Sequence, residues 1–191
     1  METVILASQS PRRKQLLEWA EIPFEIIVQP TDESFPEGLS PFEVSVHIAR
    51  NKARAIAHDV PGKVVIAADT IVVIDQEIIG KPRDREDAFN ILSRLAGQHH
   101  QVITGVVICR DDHEVAFADI TDVEFHPLTS HQVEFYIDKY QPYDKAGAYA
   151  IQEWIGVVGI RSVRGDFYNV MGLPVSRVVR ELNVFFPADH R

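Results

Sequence analysis

Positions 8–14 of the chain, S-Q-S-P-R-R-K, combine groups that bind anions at the start of a helix. Ser10 suits the N-cap position and Pro11 the first helical position. The cations at 12–14 then fall in the first turn, where backbone N–H groups are unpaired and the helix dipole is positive. Each cation costs about 0.3 to 1 kcal/mol there unless an anion is near. The pattern predicts either a phosphate pocket or an exposed helix start with solvated arginines.

A carboxylate follows a wholly apolar segment in the middle of the chain. Residues 64–68 form an unbroken apolar run, typical of a strand buried on both faces, and we expect this strand to end at Asp69 and Thr70. Ligand sites in α/β sheets lie beyond the carboxyl ends of strands. Asp69 is therefore a candidate general base or metal ligand. The alternative is that it accepts backbone N–H groups in the turn.

Three further charged residues are candidates for the same site. Lys52 interrupts the apolar face of the predicted helix 41–58, so its ammonium either reaches solvent along the core or faces an anion in a cleft. Glu33 offers a second carboxylate for a magnesium-like ion, unless it is simply solvated. Lys81 is held extended by the proline that follows it and can reach back toward Asp69.

The segment 144–152 mixes charge, glycine, an aromatic ring and an amide. Tyr149 and Gln152 are side-chain types that read a base edge by stacking and hydrogen bonding. Glycine-rich turns are the alternative explanation for the segment. It therefore points to a binding loop only in combination with the other candidates.

Composition limits the class of protein. With 191 residues, 46% of them hydrophobic, the chain is long enough for a single domain over 1–191 with a sizeable core. Cys109 is the only cysteine, so a disulfide framework within one chain is excluded. The net charge of −9 disfavours nonspecific nucleic-acid binding. No signal-peptide core and no apolar run of membrane-spanning length are present, so we expect a cytoplasmic protein without a membrane partner.

Several enzyme classes are excluded by missing motifs. The sequence contains no Walker A motif, no G-x-G-x-x-G after a strand, no H-E-x-x-H and no G-x-S-x-G. The eight histidines show no metal-ligand spacing. A P-loop NTPase, a zinc enzyme and a serine hydrolase are therefore not expected.

Strand and helix signals alternate along the chain, which predicts an α/β fold with a mixed central sheet and helices on both faces. Strands are expected at 3–7, 24–28, 64–68, 71–74, 77–79, 101–109 and 115–125, and helices at 11–19, 41–58, 84–95, from 130 to about 139, and from Pro174. Capping boxes mark two of the helix starts, at Ser40 and Thr129. The strands on either side of 75–76 and of 110–113 are expected to form antiparallel hairpins.

Taken together, these motifs resemble the Maf family of nucleoside triphosphate pyrophosphatases over essentially the whole chain. The residues that carry the resemblance are the run 8–13, Glu33, Lys52, 68–70, 80–82, 144–152 and 172–174. The resemblance implies a two-lobed, inosine-triphosphatase-like (Maf/Ham1) fold around a cleft. It also implies cleavage between the α and β phosphates, giving a monophosphate and pyrophosphate, with help from a divalent cation such as Mg²⁺ or Mn²⁺. A homodimer is an expectation at the family level.

The resemblance also implies roles for individual residues. The proton acceptor falls on Asp69, and the metal ligands on Glu33 and Asp69. The substrate contacts fall on Ser8, Arg12, Arg13, Lys52, Thr70, Lys81 and Gln152. Arg12, Thr70 and Gln152 match the dTTP/UTP branch, whereas Ala150 stands where many members have glycine, a difference that bears on substrate preference and not on reaction type.

Two alternatives to dTTP/UTP hydrolysis remain at this point. One is a housecleaning pyrophosphatase for modified nucleotides such as 5-methyl-UTP, pseudo-UTP or 7-methyl-GTP. The other is a nucleotide-sensing regulator of septum formation. A carboxylate such as Asp69 beside a triphosphate disfavours the second, because a pure binder gains nothing from it.

Overall fold

The computed structural model describes residues 2–186. The strands are β1 (Val4–Leu6), β2 (Phe24–Ile26), β3 (Val65–Ile74), β4 (Glu77–Ile79), β5 (His99–Arg110), β6 (His113–Phe125) and β7 (Ile160–Arg164). The helices are α1 (Pro11–Trp19), α2 (Pro41–Ala57), α3 (Arg85–Leu95), α4 (Ser130–Tyr140), α5 (Trp154–Gly159), α6 (Phe167–Met171) and α7 (Val175–Leu182), with a short 3₁₀ turn at Ala146–Ala148. The predicted alternation of strands and helices is confirmed.

The described chain divides into two compact units. The first contains the residues up to Thr70, Thr104–Asp119 and the residues from Gly172 onward, and the second contains Ile71–Ile103 and Ile120–Met171. β3, β5 and β6 each contribute residues to both units. No described helix is long and apolar enough to cross a membrane.

The first unit holds the parallel part of a mixed sheet. β1 pairs in parallel with β2, and also with β3 through Ile5 opposite Val65. Beyond β3 the order continues to β5 and then β6. Only Asp111 and Asp112 connect β5 to β6, and so short a connection requires an antiparallel hairpin. The predicted mixed sheet and the predicted hairpin are confirmed.

In the second unit, β4 pairs antiparallel with the end of β3, and β7 pairs antiparallel with β6. Asp75 and Gln76 form the β3–β4 turn with φ of 51° and 66°. Positive φ at both central residues is the geometry that matches the twist of a two-residue hairpin. The predicted hairpin about 75–76 is therefore confirmed, while α5, β7 and α6 lie in a stretch for which no strand or helix is predicted.

The helix starts confirm the capping signals. The Ser40 hydroxyl accepts the Glu43 N–H at 3.3 Å, and the Glu43 carboxylate accepts the Ser40 N–H at 2.8 Å. Thr129 and Gln132 form the same reciprocal pair at the start of α4. Each box satisfies donors that the first helical turn leaves without an intrahelical partner. These short signals therefore fix the starts of α2 and α4.

The prediction that a strand ends at Asp69 is wrong. β3 continues without a break from Val65 to Ile74, so Asp69 and Thr70 lie inside a strand. Polar side chains are tolerated there because each has a partner: Asp69 contacts an ammonium and Thr70 hydroxyl and guanidinium groups. Asp69 is thus held by extended backbone on both sides instead of by a turn.

Gly105 on β5 lies directly against the main chain of α2. A Cβ atom at this position would lie 2.3 Å from the carbonyl carbon of Ser45 and 2.4 Å from the nitrogen of Val46. Backbone atoms cannot rotate away as a side chain can. The close approach of α2 to β5 therefore requires glycine.

We expect Gly105→Ala to lower the free energy of unfolding by about 3 kcal/mol, because overpacking forces the backbone to shift. Gly80→Ala is the matched control, since a Cβ at Gly80 meets nothing within 4 Å. Urea titration of both variants measures the difference. Equal midpoints for the two variants would contradict the contact.

Candidate active site

The start of α1 forms as its sequence predicts. Ser10 is the N-cap, and its hydroxyl accepts the Arg13 N–H at 3.4 Å. The Ser10 N–H in turn donates to the Ser8 hydroxyl at 3.2 Å. The first turn contains no acidic residue, so its positive end is not offset by the helix itself. The segment that precedes the helix is therefore fixed and electropositive.

The Arg13 side chain connects three distant parts of the sequence. It is 9% exposed. Its Nε donates to the Gly172 carbonyl at 2.8 Å, one terminal nitrogen to the Ser8 hydroxyl at 3.1 Å, and the other to the Thr70 hydroxyl at 3.0 Å. The planar guanidinium can serve three acceptors at fixed angles. Arg13 therefore holds two other predicted site residues, Ser8 and Thr70, in one arrangement.

Thr70 is fixed by more than Arg13. Its hydroxyl lies 2.9 Å from the Thr104 hydroxyl and 3.4 Å from the Gly172 carbonyl oxygen. Thr104 is not among the residues predicted for the site, although a fully buried threonine in the otherwise apolar run of β5 signals a polar partner. The run 172–174 contributes to the family resemblance, but no role is predicted for the Gly172 carbonyl, because no side-chain pattern reveals a main-chain acceptor.

The electrostatics of Arg13 link it to the neighbouring charges. Burial lowers the pKa of Arg13 to about 10, Asp69 and Glu33 raise it, and Arg12 lowers it. The side chain therefore stays protonated at pH 7 in a site that carries a second arginine. A negative charge bound nearby would raise this pKa again and stabilise the protonated guanidinium.

A second cluster in the same unit contains Lys52, Asp69 and Glu33. The Lys52 ammonium lies 2.7 Å from an Asp69 carboxylate oxygen and 2.8 Å from a Glu33 carboxylate oxygen. The Lys52 and Asp69 side chains are 19% and 13% exposed, whereas Glu33 is half exposed. Lys52 thus points to a charged cluster and does not simply follow the core to solvent, and Glu33 is not a lone solvated acid.

The Glu33 and Asp69 carboxylates suit a divalent cation that keeps most of its water ligands. Within residues 2–186, no group of three or more His, Cys, Asp or Glu side chains could hold a metal ion. Mg²⁺ needs no such cage, because it keeps several waters and binds one or two carboxylates together with substrate phosphates. Glu33 and Asp69 converge on one ammonium, so their hard oxygen donors fit this mode of binding.

The second unit carries the remaining predicted residues, Lys81 and Gln152, both exposed. Lys81 follows Gly80, whose carbonyl accepts the Gly147 N–H at 3.1 Å. Gly147 has φ of 70°, and a Cβ there would lie 2.8 Å from a Val72 methyl group. Glycine is therefore required where segment 144–152 approaches β3, and the segment is anchored beside the residue that precedes Lys81.

His100 and Tyr149 form a buried polar pair in the second unit. His100 is 3% exposed, and its Nε2 lies 2.7 Å from the Tyr149 hydroxyl. The His100 Nδ1 meets no hydrogen-bond partner in the described part of the chain. Burial lowers the pKa of His100 to about 4 and raises the pKa of Tyr149. Both side chains are therefore neutral at physiological pH.

This burial predicts a pH dependence of stability. The unfolded chain binds a proton at His100 as the pH falls through 6.5, whereas the folded chain does so only near 4. Stability is therefore lost as the pH falls across this window, by roughly 3 kcal/mol from this group. Thermal melts between pH 7.5 and 4.5 should show that the Tm of His100→Gln falls less steeply with pH than the Tm of the wild type. His99→Gln removes only the smaller effect of an exposed neighbouring charge and should keep most of the dependence, and equal slopes for the two variants would refute the prediction.

Comparison with solved structures bears on the fold. The structure of the Staphylococcus aureus Ham1 protein is 17% identical and has a TM-score of 0.51, and the match covers 94% of this chain and 100% of that chain. The similarity confirms the predicted Ham1-like fold class.

Comparison with known sequences identifies the family. A protein from Cytophaga hutchinsonii named dTTP/UTP pyrophosphatase is 49% identical over 96% of this chain and 84% of its own length. Proteins of the same name from Bacillus velezensis and Bacteroides thetaiotaomicron are 48% and 45% identical, and the matches cover 95% and 94% of this chain and 96% and 94% of theirs. The family model described as Maf-like protein matches residues 3–185. The chain therefore belongs to the Maf family.

Proposed function

We propose that this protein hydrolyses dTTP and UTP to the monophosphate and pyrophosphate. The relatives that carry the name dTTP/UTP pyrophosphatase match this chain over nearly its full length, at 45% to 49% identity. The single structural observation that carries the chemistry is the Lys52–Asp69–Glu33 cluster, which lies in the same compact unit as the buried Arg13 network.

In this proposal the cations neutralise the triphosphate. Arg12 and Lys52 supply positive charge, and the hydroxyl groups held by Arg13 supply hydrogen bonds. Negative charge moves onto the leaving pyrophosphate as the bond breaks, so fixed cations stabilise the transition state more than the bound substrate. Lys81 is the further proposed phosphate contact.

Asp69 is the proposed general base. It accepts a proton from water as the water oxygen forms a bond to the α phosphorus and the bond from that phosphorus to the pyrophosphate oxygen breaks. No covalent nucleophile is needed, because phosphoryl transfer depends on positioning and charge stabilisation. β3 continues on both sides of Asp69, so the carboxylate is presented by a fixed main chain.

Glu33 and Asp69 are the proposed ligands of Mg²⁺ or Mn²⁺. When bound, the cation supplies charge neutralisation at the phosphates and lowers the pKa of a bound water. Lys52 contacts the same two carboxylates and keeps both facing the site.

Base selection is assigned to Arg12, Thr70 and Gln152. Thr70 is held by Arg13 and Thr104, which fixes the place of its hydroxyl. An amide such as Gln152 pairs with the edge of uracil or thymine through one donor and one acceptor. The methyl of Ala150 in the same segment is proposed to bear on which pyrimidine is preferred.

The decisive experiment is a panel of triphosphates assayed with and without Mg²⁺ or Mn²⁺. We expect pyrophosphate and monophosphate from dTTP and UTP, with slower release from CTP, ATP and GTP. Faster hydrolysis of 5-methyl-UTP, pseudo-UTP or 7-methyl-GTP would favour a housecleaning role. Diphosphate and free phosphate as products would refute the proposed bond, and binding without hydrolysis would favour a regulatory protein.

A homodimer and a cytoplasmic location complete the proposal. Light scattering of the purified protein at several concentrations tests the first, and fractionation of the native cells tests the second. A monomer at all concentrations would contradict the proposed dimer.

A further inference from the structure

The inference concerns the turn that carries Gln152 and rests on the proposed function. Tyr136 on α4 is fully buried, and its hydroxyl contacts both ends of this turn. It accepts the Ala150 N–H at 3.2 Å and donates to the Glu153 carboxylate. The Glu153 N–H also donates to the Ala150 carbonyl at 3.1 Å, which closes the turn. Gln152 lies between the two anchored residues.

Glu153 is committed to this network instead of to its own helix. It occupies the N-cap position of α5, yet its side chain makes no capping hydrogen bond. Its carboxylate faces the Tyr136 hydroxyl and lies 3.7 Å from the Lys145 ammonium. Lys145 is itself buried and lies 2.7 Å from Asp144. The Glu153 carboxylate is therefore engaged by the Tyr136 hydroxyl and not by the first turn of α5, and it lies near the Lys145 ammonium.

We propose that Tyr136 is a positioning residue for base selection. Its hydroxyl and the Glu153 carboxylate fix the position of the main chain in the turn 150–153. They thereby set the position of the Gln152 amide. The amide presents one donor and one acceptor to a base edge. If it is free to turn over, it pairs with uracil in one orientation and with cytosine in the other. Discrimination between these bases therefore depends on how firmly the turn is held.

The test is Tyr136→Phe, which keeps the buried ring and removes both hydrogen bonds. We expect the ratio of kcat/KM for UTP to that for CTP to fall about tenfold, equivalent to 1.4 kcal/mol. The change should arise mainly in KM for UTP, with kcat altered less than about twofold, because the reacting phosphates are held by other residues. Pyrophosphate release is the assay, and circular dichroism checks the fold.

Tyr140→Phe is the matched control. Tyr140 stacks on Tyr136 at 5.0 Å on the same helix, and it should leave the UTP/CTP ratio unchanged. If Tyr136→Phe fails to fold, Glu153→Ala tests the same network by removing the acceptor of the Tyr136 hydroxyl. An unchanged ratio in the folded variant overturns the inference, and so does an equal loss for UTP and CTP, which would show a merely structural role. Absence of pyrophosphate release by the wild type would instead overturn the proposed function.

Discussion

Replacement of Asp69 by Asn is expected to lower kcat by about 10² to 10⁴ while nucleotide affinity changes little. The amide oxygen of Asn can still accept the Lys52 ammonium hydrogen bond that Asp69 accepts at 2.7 Å. The geometry of β3 and of the cluster is therefore kept, but the amide cannot take a proton from water. Steady-state assays of pyrophosphate release give kcat. Calorimetry with a nonhydrolysable triphosphate gives the affinity of the variant for the nucleotide.

Asp69→Ala extends this prediction, and Asp59→Asn is its control. Asp69→Ala also removes the contact to Lys52, which retains Glu33 at 2.8 Å, so the fold should survive. Asp59 is an exposed carboxylate that contacts Gln29, and its replacement should leave turnover unchanged. Near-normal turnover in Asp69→Asn would remove the residue from the proposed chemistry.

Arg13→Lys is expected to lower both stability and activity although it keeps the charge. A lysine ammonium cannot reproduce the fork that serves Gly172, Ser8 and Thr70 at once. Buried acceptors left without their donors cost about 1 to 3 kcal/mol each, so we expect the free energy of unfolding to fall by about 2 kcal/mol or more. Displacement of Ser8 and Thr70 by about 1 Å would reduce kcat/KM by about 10².

Lys14→Gln is the control for Arg13→Lys. Lys14 is a half-exposed cation in the same first turn, and its 3.7 Å ion pair with Glu18 contributes little. Urea titration and kcat/KM for dTTP should both stay close to the wild-type values in this variant. If Arg13→Lys keeps wild-type stability but loses activity, Arg13 acts only as a substrate contact. It would then not be needed to hold Ser8, Thr70 and Gly172 in place.

Local signals were sufficient to predict much of the fold. The capping boxes at Ser40 and Thr129 depend on residues three positions apart, so they can be recognised without tertiary information. The stretch from 154 to 171 was different: α5 and α6 are short, and short elements gain their stability from packing that the sequence does not display. No helix or strand is therefore predicted from the sequence in this stretch.

The site shows the same division between local and distant information. The residue types at Lys52, Asp69 and Glu33 drew attention individually, but their contacts join positions far apart in the sequence. The apolar run 64–68 predicts a strand end at Asp69, because polar residues commonly terminate apolar runs. Its partners on other segments allow it to lie inside β3, and those partners could not be read from the run itself.

The contact of Gly105 with Ser45 bears on how the family can diverge. α2 meets β5 there through main-chain atoms, and Lys52 lies two helical turns further along α2. Because main-chain atoms make this contact, the separation of helix and strand at this point does not depend on the size of a side chain. The position of the helix that carries Lys52 is thus fixed against β5 at a point where only glycine fits.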